Sequence, residues 1–155
     1  MSQSLHPAVE RALSELKALP GALLPILHAI QDALGYVPPE AVPAIAHALN
    51  LSRADVYGVI TFYRHFRSAP PGRHVVQLCR AESCQAMGCE ALAQHVKTRT
   101  GADFHATSAD GAVTLEAVYC LGNCACSPAV MIDGRLHGRV TPERFDRLLR
   151  EAETS

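Results

Sequence analysis

Six cysteines, confined to two short segments, constrain this chain more than any other feature of its sequence. The first segment is CRAESCQAMGCE, residues 79–90, and the second is CLGNCACSP, residues 120–128. Residues 1–78 contain no cysteine, which indicates two regions of different chemistry. Clustered cysteines either form disulfides or bind metal, and the redox state of the compartment decides between the two.

Length and composition predict a soluble cytoplasmic protein. At 155 residues, of which 48% are hydrophobic, the chain can bury the core of one domain or of two small ones. The N-terminal stretch MSQSLHPAVE has neither the basic nor the apolar part of a secretory signal. GALLPILHAI is too short to cross a membrane, so we expect no membrane insertion. Because cytoplasmic thiols stay reduced, the cysteines favour a metal or redox site.

The charge balance argues against a nucleic-acid partner. The formal net charge is -1, from 14 basic and 15 acidic side chains, whereas binding to a polyanion is driven by a basic excess. Residues 44–67 loosely resemble a helix-turn-helix, which would suit an iron–sulfur redox-sensing DNA-binding regulator. Residues 1–72, however, hold five basic and five acidic side chains, and the would-be recognition helix is mostly apolar. We therefore expect a buried helix there and no nucleic acid.

Apolar residues at helical spacing predict an N-terminal helical bundle over residues 1–72. The four apolar stripes are Val9, Leu13 and Leu16; Leu23, Leu27, Ile30 and Leu34; Val42, Ile45 and Leu49; and Val56, Val59, Ile60 and Tyr63. Gly35 is placed to end the second helix, and Ser52 with Asp55 fits a capping box at the start of the fourth. The segment SAPPG, residues 68–72, is predicted to be a linker.

The region from 73 to 155 predicts a small α+β domain. Its predicted elements are a strand over 73–79, a helix over about 88–99, a strand over 112–120, a hairpin turning at Asp133–Gly134, and a helix capped by Thr141 with Pro142 at its first position. The 112–120 strand alternates apolar and polar residues, and Asp-Gly is a strong signal for a two-residue turn. The predicted order is therefore strand, helix, strand, strand, strand, helix.

The spacing of four cysteines favours an iron–sulfur cluster. Cys79 and Cys84, like Cys120 and Cys124, lie in loops at the ends of predicted strands, which can converge on one point. Structural zinc commonly uses the tighter C-x2-C spacing, whereas a [2Fe–2S] cluster takes two thiolates on each iron and spreads its ligands. Zinc remains the alternative. Gly122 lets backbone amides approach the sulfurs, which suits an anionic cluster.

Two cysteines exceed the four that such a cluster needs. Cys89 lies at helical spacing from Leu92 and Val96, so we expect it in a helix core as a small hydrophobe. Cys124 and Cys126 share one loop, and the pattern alone leaves open which of the two reaches the metal.

The sequence gives no sign of catalysis by this chain alone. It has no C-x-x-C dithiol, which a thioredoxin-like redox enzyme would need. It also lacks a glycine-rich phosphate loop and a dinucleotide fingerprint, so NAD, flavin and substrate sites should belong to partners.

Residues 24–63, followed by C-x4-C and by CLGNC, resemble the thioredoxin-like [2Fe–2S] ferredoxin family. This family supplies small subunits of NADH-linked oxidoreductases. The resemblance covers about residues 8–150 and implies a helical bundle, 1–72, followed by a thioredoxin-like [2Fe–2S] domain, 73–155. The ligands it implies are Cys79, Cys84, Cys120 and Cys124. Cys126 is not a ligand in the family pattern.

Within that family, three stretches are most similar to the gamma subunit of NAD-dependent formate dehydrogenase. They are NCACSP, CQAMGCEAL and DGRLHGRVTPERFD. The resemblance implies a one-electron carrier that exchanges electrons with the flavin of an NAD-binding partner, in a cytoplasmic complex with a molybdenum-containing formate dehydrogenase subunit. The alternatives are the equivalent subunits of NADH:quinone oxidoreductase and of NAD-reducing hydrogenase.

Overall fold

A computed structural model describes residues 5–154 of the chain. The chain divides into two compact units, with the division between Pro70 and Pro71. Among the described residues, no helix is both long enough and apolar enough to span a membrane.

Within residues 5–70, four α-helices surround one apolar core. They are α1 Pro7–Leu16, α2 Leu23–Leu34, α3 Val42–Leu49 and α4 Arg53–Phe62, with a 3-10 turn at Pro39–Ala41. Ile26, Leu27, Ile30 and Ile45 are fully buried in that core. Tyr63, predicted inside the fourth helix, lies just beyond its end in an extended conformation.

The predicted helix-end signals in this unit are confirmed. Gly35 adopts φ 82° and its N–H donates to the carbonyl of Gln31, which ends α2. At the start of α4, the Asp55 amide donates to Ser52 Oγ at 3.0 Å, and the Ser52 amide donates to Asp55 Oδ2 at 3.1 Å. These reciprocal bonds satisfy amides that the first helical turn leaves without partners.

Residues 71–154 form a sheet of five strands with three helices. The strands are β1 His74–Cys79, β2 Ala106–Thr107, β3 Val113–Val118, β4 Val130–Ile132 and β5 Arg135–His137. The helices are α5 Glu82–Ala86, α6 Cys89–Thr100 and α7 Pro142–Glu153. The sheet order is β2-β3-β1-β4-β5, in which only β1 and β3 run parallel among these described strands.

The register of the central strands brings the two cysteine segments to one edge. Cys79 at the end of β1 pairs with Val118 at the end of β3. Because parallel strands end at the same side of a sheet, the chain leaves both strands in the same direction. The sheet therefore fixes the starting points of both cysteine segments.

The structure corrects three predictions in this unit. Strand β3 does not alternate: Val113 to Ala117 are all buried, because both faces of this strand are covered. The helix α5 and the strand β2 were missed, since five and two residues are too few to display a period. Cys84 consequently lies in a helix and not in a loop.

The hairpin and the last helix are confirmed. Asp133 and Gly134 have φ values of 48° and 78°, as the turn between β4 and β5 requires. The Asp133 carboxylate also accepts a 2.8 Å hydrogen bond from the Val75 amide. Thr141 Oγ1 accepts from the Arg144 amide at 3.2 Å and caps α7.

Gly58 lies in the middle of α4, where glycine weakens a helix. It is exposed, a Cβ added to it would meet no atom within 4 Å, and its φ is not positive. We expect Gly58→Ala to raise the free energy of unfolding of this unit by about 1 kcal/mol, measured by urea unfolding. The control is Gly35→Ala, which should lower it by about 1 kcal/mol because φ is positive there. Equal effects of the two variants would contradict this account.

Candidate metal centre

The four predicted ligand cysteines lie at the shared edge of β1 and β3. Cys79 is the last residue of β1, and Cys84 lies in α5 just beyond it. Cys120 follows β3 by two residues, and Cys124 begins a short 3-10 turn, Cys124–Cys126. The first two are buried and the last two are exposed. The group therefore has one side in the protein interior and one side facing solvent.

The four thiols are close enough to influence one another. The Sγ atoms of Cys120 and Cys124 are 3.9 Å apart. The pKa of Cys124 is raised, first by its hydrogen bond with the Cys120 thiol and by the charge of that group, and further by the charges of Cys79 and Cys84. Four thiolates here would repel one another, so the arrangement suits a cationic group that they can share.

Backbone amides from both cysteine segments converge on the Cys79 sulfur. Burial is the largest influence and raises the pKa of Cys79, yet the net pKa is lowered because hydrogen bonds favour the thiolate. The donors are the amides of Ala81, Leu121 and Cys120, and the neighbouring Cys84 thiol also lowers the pKa of Cys79. The loop after β3 therefore stabilises a negative charge at the end of β1.

The loop from Cys120 to Cys124 has an unusual backbone. Cys120 has φ 108° and Gly122 has φ 75°. The Gly122 amide donates to Cys120 Sγ at 3.3 Å, in agreement with the expected approach of an amide to sulfur at this glycine. A positive φ is costly for cysteine and is found mostly where the surrounding structure imposes it, often at functional sites.

The two remaining cysteines differ in environment. Cys89 is fully buried at the start of α6, as predicted, and burial is the chief reason that its pKa is raised. Cys126 is half-buried, and its carbonyl accepts a 2.6 Å hydrogen bond from the Arg139 amide. Within residues 5–154, no hydrogen bond joins the Cys126 thiol to another cysteine.

Two serines that the sequence reasoning did not assign to the site connect the two segments. Ser83 Oγ donates to the Cys124 carbonyl at 3.0 Å, and the buried Ser127 hydroxyl donates to the same carbonyl at 2.8 Å. Each serine lies within three residues of a predicted ligand in sequence. Proximity alone was too weak a signal to separate them from ordinary polar loop residues.

Comparison with known proteins identifies a family. A family model described as thioredoxin-like [2Fe-2S] ferredoxin matches residues 9–153. A subunit of the NADH-quinone oxidoreductase of Pseudomonas aeruginosa is 35% identical over 96% of this chain and 90% of its own length. A subunit of the NADP-reducing hydrogenase of Solidesulfovibrio fructosivorans is 29% identical over 97% of this chain and 88% of its own length.

Solved structures show the same fold. A chain of an air-oxidized NAD+-reducing [NiFe]-hydrogenase superposes with a TM-score of 0.72 at 24% identity, over 89% of this chain. This chain spans only 24% of the hydrogenase chain's length. The likeness therefore concerns the mixed helix-and-sheet fold alone.

Gly138 sets the position of the turn that carries Cys124 and Cys126. A Cβ at residue 138 would lie 2.7 Å from Cys126 Cβ and 2.8 Å from the Cys126 carbonyl oxygen. We expect Gly138→Ala to lower the free energy of unfolding by about 1–3 kcal/mol, because the turn must move to admit the methyl group. Urea unfolding measures this, with Gly58→Ala as the matched control. An unchanged unfolding midpoint for Gly138→Ala would show that the turn yields freely.

Proposed function

Because this chain belongs to the thioredoxin-like [2Fe–2S] ferredoxin family, which binds one [2Fe–2S] cluster, we propose that it is a one-electron carrier in a larger NAD-linked oxidoreductase complex. The proposed cluster ligands are Cys79, Cys84, Cys120 and Cys124. The observation that carries the assignment is that these four cysteines follow the paired ends of β1 and β3, where the other three thiols raise the pKa of Cys124.

The donor set fits the cluster. Within residues 5–154, no three His, Cys, Asp or Glu side chains are placed to hold a single metal ion. A [2Fe–2S] cluster instead takes a pair of thiolates on each iron. The proposed pairs are Cys79 with Cys84, whose thiols influence each other electrostatically, and Cys120 with Cys124, whose Sγ atoms are 3.9 Å apart.

The two pairs have different tasks in this proposal. When bound, the cluster accepts and releases electrons one at a time. The buried pair, Cys79 and Cys84, anchors the site in the core and excludes water. The exposed pair, Cys120 and Cys124, leaves one side open to a partner. Backbone amides that donate hydrogen bonds to the Cys79 and Cys120 sulfurs stabilise negative charge on those atoms.

The proposed partner binds both flavin and NAD. The relatives described above are named as subunits of NADH- or NADP-linked complexes, and this chain has no dinucleotide fingerprint of its own. Tyr119, next to Cys120 in sequence, is 68% exposed, and Met87 is 61% exposed. Exposed apolar side chains beside the site support docking of a protein partner there.

The finer proposal is a cytoplasmic NAD-dependent formate dehydrogenase with a molybdenum-containing subunit. It rests on the similarity of NCACSP, CQAMGCEAL and the tail from Asp133 to the gamma subunit of such enzymes. Membership in NADH:quinone oxidoreductase or NAD-reducing hydrogenase fits the relatives equally well. In each case the proposed domains are a helical bundle, 1–72, and a cluster domain, 73–155.

The ligand assignment predicts opposite outcomes for two neighbouring cysteines. Cys124→Ser should lose most of the bound iron and sulfide, whereas Cys126→Ser should keep about two of each per chain. The measurement is iron and acid-labile sulfide analysis of anaerobically purified protein, with EPR of the dithionite-reduced sample. Loss of the cluster from Cys126→Ser would overturn the ligand assignment.

The choice of complex predicts which proteins accompany this chain. Affinity purification of the tagged full-length chain from its native cells should recover a flavin subunit and a molybdenum-containing subunit, identified by mass spectrometry and metal analysis. Formate should then reduce NAD in the purified complex. Recovery with hydrogenase or quinone-reductase subunits instead would contradict the formate dehydrogenase assignment. The proposed role as an electron carrier would be unaffected.

A further inference from the structure

The Cys84 thiol donates a hydrogen bond to the hydroxyl oxygen of Ser127. Ser127 is 7% exposed, and its Oγ lies 3.5 Å from Cys84 Sγ. Resting on the ligand set proposed above, we infer that Ser127 tunes the reduction potential of the cluster through this bond, with Ser83 supporting it.

The direction of this hydrogen bond must change when Cys84 binds metal. As a free thiol, Cys84 donates its proton to Ser127 Oγ. A ligand cysteine is a thiolate and can only accept. The Cys84 sulfur is buried, and the Ser127 hydroxyl lies within hydrogen-bond distance of it. This hydroxyl can rotate so that its proton points toward the negative charge of the thiolate. On ligation the S–H bond of Cys84 would be replaced by a sulfur–iron bond, and the thiol proton would be released to solvent.

Ser83 makes that rotation possible. The Ser127 hydroxyl has one proton, which in the free thiol state it donates to the Cys124 carbonyl at 2.8 Å. Ser83 Oγ lies 3.0 Å from the same carbonyl and 2.8 Å from Ser127 Oγ, so its own proton can be shared between the two acceptors. Ser83 therefore keeps the carbonyl partnered while Ser127 turns to sulfur, and the chain of hydroxyls strengthens the terminal bond.

The effect on potential has a definite sign. Reduction adds a negative charge to a group that is already anionic, and a hydrogen bond to a ligand sulfur stabilises that charge. Removing the Ser127 hydroxyl should therefore make reduction less favourable. Ser127 acts through a ligand and does not hold iron itself, so it is a positioning residue and the cluster should survive its loss.

The test is an EPR-monitored redox titration of the full-length holoprotein. We expect Ser127→Ala to lower the one-electron reduction equilibrium constant about tenfold, which is about 59 mV. Ser127→Thr retains the hydroxyl and should restore most of the parent value. Ser83→Ala should give a smaller fall. The matched control is Ser14→Ala, which removes a hydroxyl that donates to the Arg11 carbonyl in the N-terminal unit.

A second measurement distinguishes loss of the hydrogen bond from displacement of the loop as the cause of a changed potential in Ser127→Ala. Resonance Raman bands of Fe–S stretching should differ between H2O and D2O in the parent protein, and the difference should shrink in Ser127→Ala. Equal potentials for Ser127→Ala and the parent, or equal falls for Ser127→Ala and Ser127→Thr, would overturn the inference. If Ser127→Ala does not fold, an unchanged potential in Ser83→Ala overturns it instead.

Failure of the underlying proposal gives a different result. A parent protein without a one-electron EPR signal, or a Cys84→Ser variant with an unchanged cluster, would overturn the ligand set and this inference together. A second result would overturn only the role of the serines. In that result the parent protein has an intact cluster, Cys84→Ser loses or alters it, and neither Ser127→Ala nor Ser83→Ala changes the reduction potential.

Discussion

The parallel pairing of β1 and β3 is the constraint on which the cysteine site depends. Its register sets Cys79 opposite Val118, so both cysteine segments begin at the same height on one edge of the sheet. The buried residues of both strands, with those of α6 and α7, hold that register in place. A slip by one residue would turn every side chain of a strand to the other face, so the apolar core protects the alignment of the thiols.

The polar contacts of the site also depend on the pairing of β1 with β3. Sulfur and carbonyl groups of one segment are satisfied by donors of the other: the Leu121 amide reaches Cys79, and the Ser83 hydroxyl reaches the Cys124 carbonyl. Each segment supplies part of this environment itself, through the Ala81 amide to Cys79 and the Ser127 hydroxyl to the Cys124 carbonyl, and the other segment completes it. The complete charge environment therefore exists only after the sheet has formed, which couples folding of this unit to the stabilisation of negative charge on its cysteine sulfurs.

Features set by a few neighbouring residues could be predicted from the sequence. The Asp133–Gly134 turn and the Ser52 cap depend on local backbone preferences. The α+β class followed from the predicted strands and helices, and the thioredoxin-like fold was implied by the family resemblance of residues 24–63 and the two cysteine motifs. Burial of β3 on both faces could not be predicted, because it depends on what packs against the strand. The short helix around Cys84 shows no periodicity, and the contact between Ser83 and Ser127 joins residues 44 positions apart.

The unequal exposure of the two thiol pairs also determines which of them a reagent in solution would reach first. A chelator or an oxidant in solution meets Cys120 and Cys124 before it can reach Cys79 and Cys84, which are at most 2% exposed. In the proposed site, Cys120 and Cys124 would therefore be the ligands most open to attack, and Cys79 and Cys84 the best protected. A partner seated over the outer pair would act as a physical shield as well as a redox neighbour.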